Sequence, residues 1–132
     1  MTRLLLDTNA WLWMASDSAR LGPNTRQLVQ SSETELVLSA VSVWEIAIKW
    51  SIGKLLIPVD PNTFVSATVK SGGLIRMAID FEHALRVGTL PMIHADPFDR
   101  LLIAQSMVSG LPVLTGDPTL RRYGIATVDA TS

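Results

Sequence analysis

The chain of 132 residues contains no cysteine, no long apolar run and no excess of basic residues. Without cysteine it has neither disulfide bonds nor thiolate metal ligands, which is typical of proteins in a reducing compartment. Its apolar stretches, such as residues 10–15, are far shorter than the ~20 residues that a membrane span requires. Only three leucines separate Arg3 from Asp7, which is too short for the apolar region of a signal peptide. We therefore expect a cytoplasmic protein that makes no membrane contact.

Charged residues are sparse and nearly balanced: they make up 17% of the chain, with 11 basic and 12 acidic residues. There is no basic tail or acidic block of the kind that marks a nucleic-acid-binding or disordered segment, so any polyanionic partner must be bound locally. Hydrophobic residues make up 48% of the chain, and the mean hydropathy is +0.31. This apolar excess has two interpretations, a large core or a surface that a partner covers.

Short apolar segments alternate with segments of helical character along the chain. This alternation is typical of βαβ units, and it predicts an α/β fold with a parallel sheet of four to five strands and helices on both faces. No repeat or linker interrupts the pattern, so we expect residues 1–132 to form a single domain. The predicted strands are residues 3–6, 35–39, 75–79, 112–115 and 125–128. The predicted helices are residues 24–32, 39–52, 62–70, 80–87 and 97–109, and one that runs from residue 10 towards the break at Gly22-Pro23.

Four acidic residues fall near the carboxyl ends of two predicted strands. Asp7 ends the first strand and Asp117 follows the fourth by two residues, while Asp96 and Asp99 begin the helix that leads into the fourth. In an open parallel sheet, ligands bind outside the carboxyl ends of the strands, where the strand order reverses. If the first and fourth strands are neighbours, these carboxylates converge over one crevice.

Each of these acids also fits the simpler role of a helix cap. Asp7 precedes the possible start of a helix, and Asp96 and Asp117 are each followed by proline, which favours the first helical position. Glu45 is different because it lies in the most apolar predicted helix, where a carboxylate is unfavourable unless a cation or a metal ion pairs with it. Lys49, four residues later, offers a salt bridge as the structural alternative to a metal site.

A cluster of carboxylates in one crevice requires cations between them, because each charge disfavours the ionisation of the next. Oxygen ligands select a hard divalent ion such as Mg²⁺ or Mn²⁺ rather than zinc. His83 and His94 stand eleven positions apart, and we expect both to be surface or loop residues rather than ligands. A hard ion activates water and neutralises phosphate charge, so the acids predict phosphate chemistry.

Other catalytic motifs are absent from the chain. It has no G-x-S-x-G, no G-x-x-x-x-G-K-[ST] and no G-x-G-x-x-G. A phospho-accepting receiver or phosphatase-like domain is an alternative, since it also places Asp after the first strand. However, Asn9 stands where the phosphatase pattern has a second Asp, and Thr115-Gly116-Asp117 supplies no Lys of the receiver type.

Four segments of the chain together resemble the motifs of a known family in their order and spacing. They resemble those of PIN-domain ribonucleases, and the chain is similar to VapC-type toxins of bacterial and archaeal toxin–antitoxin modules. The resemblance covers essentially the whole chain. The segments are Leu4-Leu5-Leu6-Asp7-Thr8-Asn9, Ser42-Val43-Trp44-Glu45-Ile46-Ala47, Asp96-Pro97-Phe98-Asp99-Arg100-Leu101-Leu102-Ile103-Ala104-Gln105 and Thr115-Gly116-Asp117.

The resemblance implies a three-layer α/β/α sandwich with strand order 3-2-1-4-5, which makes the first and fourth strands neighbours. It implies that four acids bind Mg²⁺ or Mn²⁺, namely Asp7, Glu45, Asp99 and Asp117. Asp96 is implied either as a residue that positions these ligands or as a helix cap. The hydroxyls of Thr8 and Thr115 match positions that orient the acids or a metal-bound water, and Asn9 matches a polar position of the same motif.

The implied reaction is endonucleolytic cleavage of RNA, in which metal-activated water attacks phosphorus and leaves a 5′-phosphate and a 3′-hydroxyl. The implied partners are an RNA substrate, a cognate antitoxin protein and a second copy of the chain in a homodimer. A non-catalytic PIN-like binding module, with the acids acting only as caps, remains an alternative. If five acids share one site, seven other acids remain against 11 basic residues, so the rest of the chain is mildly basic. The five are Asp7, Glu45, Asp96, Asp99 and Asp117.

Tryptophan and basic residues are the candidates for the partner surfaces. Tryptophan is enriched at interfaces, although each of these side chains also fits a place in the core. The tryptophans are Trp11, Trp13, Trp44 and Trp50. Phosphate groups need local cations, and the candidates for RNA contact are Lys49, Lys54, Arg100, Arg121 and Arg122.

Overall fold

Five short strands form one parallel sheet in the computed structural model, which describes residues 1–132. The strand order is β3-β2-β1-β4-β5, and each neighbouring pair is parallel. This order confirms the one that the resemblance implies, and it differs from the 2-1-3-4-5 order of receiver domains. The strands are β1 (Thr2–Leu6), β2 (Thr34–Ser39), β3 (Ile75–Met77), β4 (Val113–Thr115) and β5 (Thr127–Asp129).

Six α-helices and one 3-10 helix connect the strands. Each predicted helix and strand occurs, and all but one end within a few residues of their predicted ends; the exception is α1, which ends at Ala15, well before the expected break at Gly22-Pro23. The 3-10 helix was not predicted, and β5 begins two residues later than expected. None of the helices is long and apolar enough to cross a membrane. The helices are α1 (Thr8–Ala15), α2 (Pro23–Gln30), α3 (Ala40–Ser51), α4 (Pro61–Gly72), α5 (Phe81–Val87), α6 (Pro97–Ser109) and the 3-10 helix (Pro118–Tyr123).

The central strand β1 divides the core into two apolar layers. Leu4, Leu5 and Leu6 have no exposed surface. Leu4 and Leu6 belong to the cluster that includes Ile46 of α3, whereas Leu5 belongs to the cluster that includes Ile103 of α6. Successive side chains of a strand point to opposite faces, so the sheet buries both faces under helices. Burial of each leucine contributes roughly 1.5–3 kcal/mol relative to exposure.

The pairing of β1 with β4 determines where the acidic residues meet. Leu6 lies beside Leu114 in the parallel register. The backbone N–H of Asp7 donates to the carbonyl oxygen of Leu114 at 3.0 Å, so the hydrogen bonding continues one residue beyond the strand. Asp7 and Thr115 therefore lie side by side at the carboxyl edge of the sheet.

Arg100 is not the RNA contact that the sequence suggested, because its side chain is buried. It lies in α6 and is 8% exposed. Its guanidinium donates to the carbonyl oxygens of Pro91 at 2.9 Å and of Val87 and Leu90 at 3.3 Å, and it also donates to the Tyr123 hydroxyl at 3.3 Å. Arg100 therefore holds the segment between α5 and α6 in place.

Two further residues expected at surfaces also belong to the interior. Trp11 is 1% exposed and packs against Phe64 with ring centroids 5.4 Å apart, so it is a core residue and not an anchor for a partner. His83 was expected in a loop or at the surface, but it is buried in α5. Its Nδ1 accepts the backbone N–H of Asp80 and lies 3.3 Å from Nε2 of Gln105.

Candidate metal centre

Asp7 is the most enclosed of the acids at the end of β1 and β4. It is 5% exposed. Its Oδ1 accepts the backbone N–H of Ala10 at 2.7 Å, which caps α1, and its Oδ2 accepts the hydroxyl of Thr115. The Thr115 Oγ1 in turn accepts the backbone N–H of Asp117 at 3.0 Å. Thr115 thus connects the carboxylate of Asp7 to the segment that carries Asp117.

Glu45 reaches the same region from α3 and is also buried, with 6% exposure. Thr8 donates its hydroxyl to Oε1 of Glu45 at 2.6 Å, and its Oγ1 lies 2.9 Å from Oγ of Ser42. Oε2 of Glu45 forms a salt bridge with Nζ of Lys49, one turn later on the helix. The salt bridge suggested by the sequence is therefore present, and the buried carboxylate has a hydroxyl partner on its other oxygen.

His94 lies between two carboxylates, although the sequence analysis expected it in a loop or at the surface and not among the ligands. Its Nε2 is 3.0 Å from Oδ2 of Asp117 and 3.1 Å from Oδ2 of Asp99. One donor atom from each of the three residues lies within 4.8 Å of the others. The signal in the sequence was the position of His94 two residues before Asp96, within the turn that starts α6.

Asp96 acts as a helix cap, which is one of its two expected roles. Its Oδ1 accepts the backbone N–H groups of Phe98 at 2.8 Å and Asp99 at 3.1 Å. The backbone N–H of Asp96 donates to Nδ1 of His94 at 3.1 Å. Asp96 therefore fixes the start of α6, and with it the positions of Asp99 and the imidazole ring.

Burial and mutual repulsion oppose ionisation of two of the acids. Burial, followed by the nearby charge of Asp96, raises the pKa of Asp99 to about 7. Burial also raises the pKa of Asp7, against the hydrogen bonds from Thr115 and Ala10. Asp117 is less enclosed: burial opposes its ionisation, but hydrogen bonds from Thr119 and His94 outweigh that cost and lower its pKa.

Charge interactions connect the four acids of the predicted metal site, but of these four only Asp99 and Asp117 belong, with His94, to the group whose donor atoms lie within 4.8 Å of one another. The charges of Asp117 and Glu45 both raise the pKa of Asp7, and those of Glu45 and Asp7 raise the pKa of Asp99. Each carboxylate comes from a different part of the fold: the end of β1, α3, the first turn of α6 and the start of the 3-10 helix. Oxygen donors whose ionisation is opposed by their neighbours fit a hard divalent cation, which relieves that repulsion.

The site opens into a cavity of about 350 Å³. Its lining residues are Asp7, Asn9, Trp13, Gly116, Asp117 and Pro118. Asn9 is exposed, so this motif residue is accessible from solvent. Two of the four acids, Asp7 and Asp117, are therefore accessible from this cavity.

Comparison with known proteins identifies the family. A family model of the PIN domain matches residues 4–126. Ribonuclease VapC16 of Mycobacterium tuberculosis is 36% identical over 59 residues, which cover 45% of this chain and 42% of that protein. The match to this curated relative therefore spans less than half of its length.

Solved structures share the fold over nearly the full chain. VapBC2 from Rickettsia felis bound to a DNA fragment from its promoter contains a chain that superposes with a TM-score of 0.72 at 11% identity, with 97% of this chain and 98% of that chain covered. DNA-bound VapBC from Salmonella typhimurium gives a TM-score of 0.68 at 18% identity, with 98% of each chain covered. The strand order, the acids at the carboxyl edge and the family model agree: the chain belongs to the PIN domain family.

Proposed function

We propose that this chain is a Mg²⁺- or Mn²⁺-dependent endoribonuclease, that residues 1–132 form one PIN domain, and that it acts in the cytoplasm as the toxin of a toxin–antitoxin module. The observation that carries this proposal is the convergence of four carboxylates from four separate elements at one edge of the sheet. The name of the curated relative, a ribonuclease, and the VapBC complexes among the structural neighbours support the same activity.

The proposed metal ligands are the carboxylates Asp7, Glu45, Asp99 and Asp117. A bound divalent ion supplies a water of lowered pKa and neutralises charge on the phosphate. The chain's own contribution is to hold its carboxylates close together and in fixed orientations. The raised pKa values of Asp7 and Asp99 indicate that their ionisation is unfavourable without a cation, as expected for a site built to receive one.

Thr8 and Thr115 position the ligands. The Thr8 hydroxyl donates to Glu45, and the Thr115 hydroxyl donates to Asp7, so each fixes one oxygen of a buried carboxylate. A hydroxyl that donates to the charged form also favours ionisation. Asp96 acts indirectly: its side chain caps α6 and fixes the first turn of this helix, which carries Asp99.

The test compares Asp7→Asn and Asp99→Asn with the parent chain in RNA cleavage with Mg²⁺ or Mn²⁺. Each variant keeps the size of the side chain but removes one charged ligand, and we expect a loss of at least about 100-fold in rate. Asp60→Asn is the matched control, because Asp60 caps α4 through Thr63 and is exposed, away from the acid cluster. Asn is also a good cap, so this control should retain full activity.

Undiminished cleavage by folded Asp7→Asn or Asp99→Asn would refute the assignment of these acids. If the parent chain binds RNA but does not cleave it with either metal, the alternative of a non-catalytic PIN-like module is correct. The receiver alternative is already excluded by the strand order.

An antitoxin partner is proposed on the basis of the VapBC neighbours and an exposed apolar surface. Trp44 is 48% exposed, Trp50 45% and Leu56 95%. Leu56 also lines an apolar cavity of about 220 Å³ together with Leu12 and Phe64. Exposed apolar patches of this kind mark protein interfaces, so part of the apolar excess of the sequence lies at the surface and not in the core.

We also propose a homodimer, to be tested by light scattering of the purified chain across a concentration series.

For RNA contact, Lys54, Arg121 and Arg122 are exposed and remain candidates. Lys49 is held by Glu45, and this hydrogen bond and charge raise its pKa. Lys49 therefore acts first as the partner of a buried acid.

A further inference from the structure

Two neighbouring cavities form one polar groove along the carboxyl edge of the sheet. The first is the 350 Å³ cavity over the acids, and the second has a volume of about 390 Å³. They share Gly116, Asp117 and Pro118. The second continues to Thr115, Arg121, Thr127, Asp129 and Thr131. We call the two together the edge groove. It contains two acids of the candidate metal centre, Asp7 and Asp117, and the basic residue Arg121.

Trp13 is the single aromatic side chain that lines the edge groove. It is only partly buried, and it packs against the apolar cluster that contains Leu4 and Leu6. Contacts with the core therefore fix the position of the indole ring, and the ring also forms part of the cavity wall beside Asp7. A fixed, partly exposed aromatic ring next to a phosphate-processing site is a platform on which a base can stack.

Gly116 allows the ring of Trp13 to reach the floor of the groove. A Cβ atom on Gly116 would lie 2.7 Å from Cη2 and 2.9 Å from Cζ3 of Trp13, closer than carbon atoms approach. The absence of a side chain at this position is therefore needed for the indole to lie where it does. This contact is independent of the acid cluster and shows that the position of the ring is built into the turn after β4.

Arg121 supplies a positive charge at the far end of the groove. Asp129 lies in the same cavity, and the charge of Arg121 contributes to lowering its pKa. Of the other basic candidates, Lys49 is paired with Glu45 and Arg100 is buried. Arg121 is therefore the basic residue of the groove that can meet a phosphate.

We propose that a single-stranded RNA segment lies along the edge groove with one base stacked on Trp13 and a neighbouring phosphate on Arg121. This inference rests on the proposed function, and what it adds is the assignment of Trp13 and Arg121 to substrate binding. Bases within a duplex are already stacked on one another and cannot offer a face to the indole, whereas bases in loops and single strands can. Asp117 lies in the part of the edge groove that both cavities share, whereas Trp13 and Arg121 each line one cavity only, so a strand that contacts both residues passes this acid.

The experiment measures RNA binding without cleavage, by fluorescence anisotropy in EDTA. The probes are a labelled single-stranded RNA of mixed sequence and the duplex that it forms with its complement. Loss of one base stack is worth roughly 1–3 kcal/mol, so Trp13→Leu should weaken single-strand binding by roughly five- to 150-fold and leave duplex binding unchanged. Trp13→Phe keeps an aromatic face and should retain most of the affinity. Phe81→Leu, at an aromatic residue that is 88% exposed on α5, is the control.

Arg121 is tested by the salt dependence of the same binding. Arg121→Gln should reduce the slope of log affinity against log salt by about 0.7, the value for one phosphate contact with a single strand. Arg20→Gln, at an exposed residue outside the groove, should leave the slope unchanged.

Intrinsic fluorescence gives a second readout for Trp13: RNA should quench the parent chain more strongly than Trp13→Phe, a conservative variant that preserves the packing.

The outcomes separate this inference from the proposed function. Equal single-strand affinity of folded Trp13→Leu and parent, or an equal loss in Phe81→Leu, overturns the stacking site even if metal-dependent cleavage is present. An absence of single-strand binding by the parent overturns it as well. Conversely, Trp13-dependent binding in a chain that never cleaves RNA supports the groove and refutes the nuclease.

Discussion

The Nε2 atom of His94 lies 3.0 Å from Oδ2 of Asp117, and this contact determines which ring nitrogen carries the proton. Nδ1 of His94 accepts the backbone N–H of Asp96, so Nδ1 has no proton of its own. The proton of the neutral ring is therefore on Nε2, which donates into the space between Asp99 and Asp117. The imidazole therefore contacts two of the carboxylates that would hold a divalent cation.

Replacement of His94 by alanine should strengthen metal binding. In the metal-free chain the Nε2–H group competes with a cation for the same oxygens, and one hydrogen bond is worth about 1 kcal/mol. His94→Ala should therefore bind Mn²⁺ about fivefold more tightly, as measured by isothermal titration calorimetry. His94→Gln, whose amide can still donate, should lie closer to the parent. Weaker binding by His94→Ala would mean that the imidazole is itself a ligand.

Replacement of Asp99 by asparagine should stabilise the metal-free protein at neutral and higher pH. The pKa of Asp99 is about 7 in the folded state, against an ordinary value of 3.8, so the folded state binds more protons between these two values. The contribution of Asp99 to stability is present below about pH 4 and is lost as the pH rises through about 7. A difference of 1 between the folded and unfolded pKa corresponds to about 1.4 kcal/mol in the free energy of unfolding.

Chemical denaturation in EDTA at about pH 5 and about pH 8 checks this expectation. The unfolding free energy of Asp99→Asn relative to the parent should be larger at the higher pH. Mn²⁺ should reverse the order, because the cation favours the ionised parent. A difference that does not change with pH would show that Asp99 ionises normally in the folded chain.

Lys49 should stabilise the fold only while Glu45 is charged. Lys49→Met leaves the buried carboxylate of Glu45 with the hydroxyl of Thr8 as its remaining hydrogen-bond partner, and we expect a loss of about 1–2 kcal/mol. In the Glu45→Gln background the same change should cost much less. A thermal unfolding cycle of the four proteins measures the coupling, and additive losses would show that the salt bridge contributes nothing.

Arg100 should stabilise the fold through the hydrogen bonds of its guanidinium group and not through its positive charge alone. Arg100→Lys keeps the charge but cannot reach the carbonyls of Val87, Leu90 and Pro91 together. We expect a loss of about 2 kcal/mol in urea denaturation. Arg122→Lys, at an exposed residue, is the control and should stay within about 0.5 kcal/mol of the parent. Equal stability of the two variants would contradict the structural role of Arg100.

Much of the fold and part of the site could be predicted from local patterns. Apolar runs and helix caps predicted the elements to within a few residues, apart from the end of α1, because caps such as Asp96-Pro97 act over a single turn. The end of β1 and the segment after β4 predicted that Asp7 and Asp117 meet, since the carboxyl ends of neighbouring parallel strands share one edge. The neighbour relationship itself came from the family resemblance and not from the pattern.

The remaining features depend on contacts between residues distant in the chain. Thr8 meets Glu45 across 37 positions, and no local rule connects them. Arg100 was expected at the surface because charged residues usually lie there, but the carbonyls of the segment before α6 turn inward and give it a full set of acceptors. His94 lies in a loop, as expected, but its contacts could not be predicted for a similar reason: its partners are Asp99, five residues later, and Asp117, in another part of the fold.

Asp7, Asp96 and Asp117 each cap a helix at the candidate metal centre, and this makes three backbone amides natural reporters of the site. The N–H groups of Ala10, Phe98 and Thr119 point at these carboxylates. Withdrawal of electron density from an oxygen changes the hydrogen bond that it accepts, so the amide resonances of these residues would shift with the occupancy and ionic state of the site. The chemical shifts of these three amides would therefore report whether a cation or a proton is bound to the carboxylates.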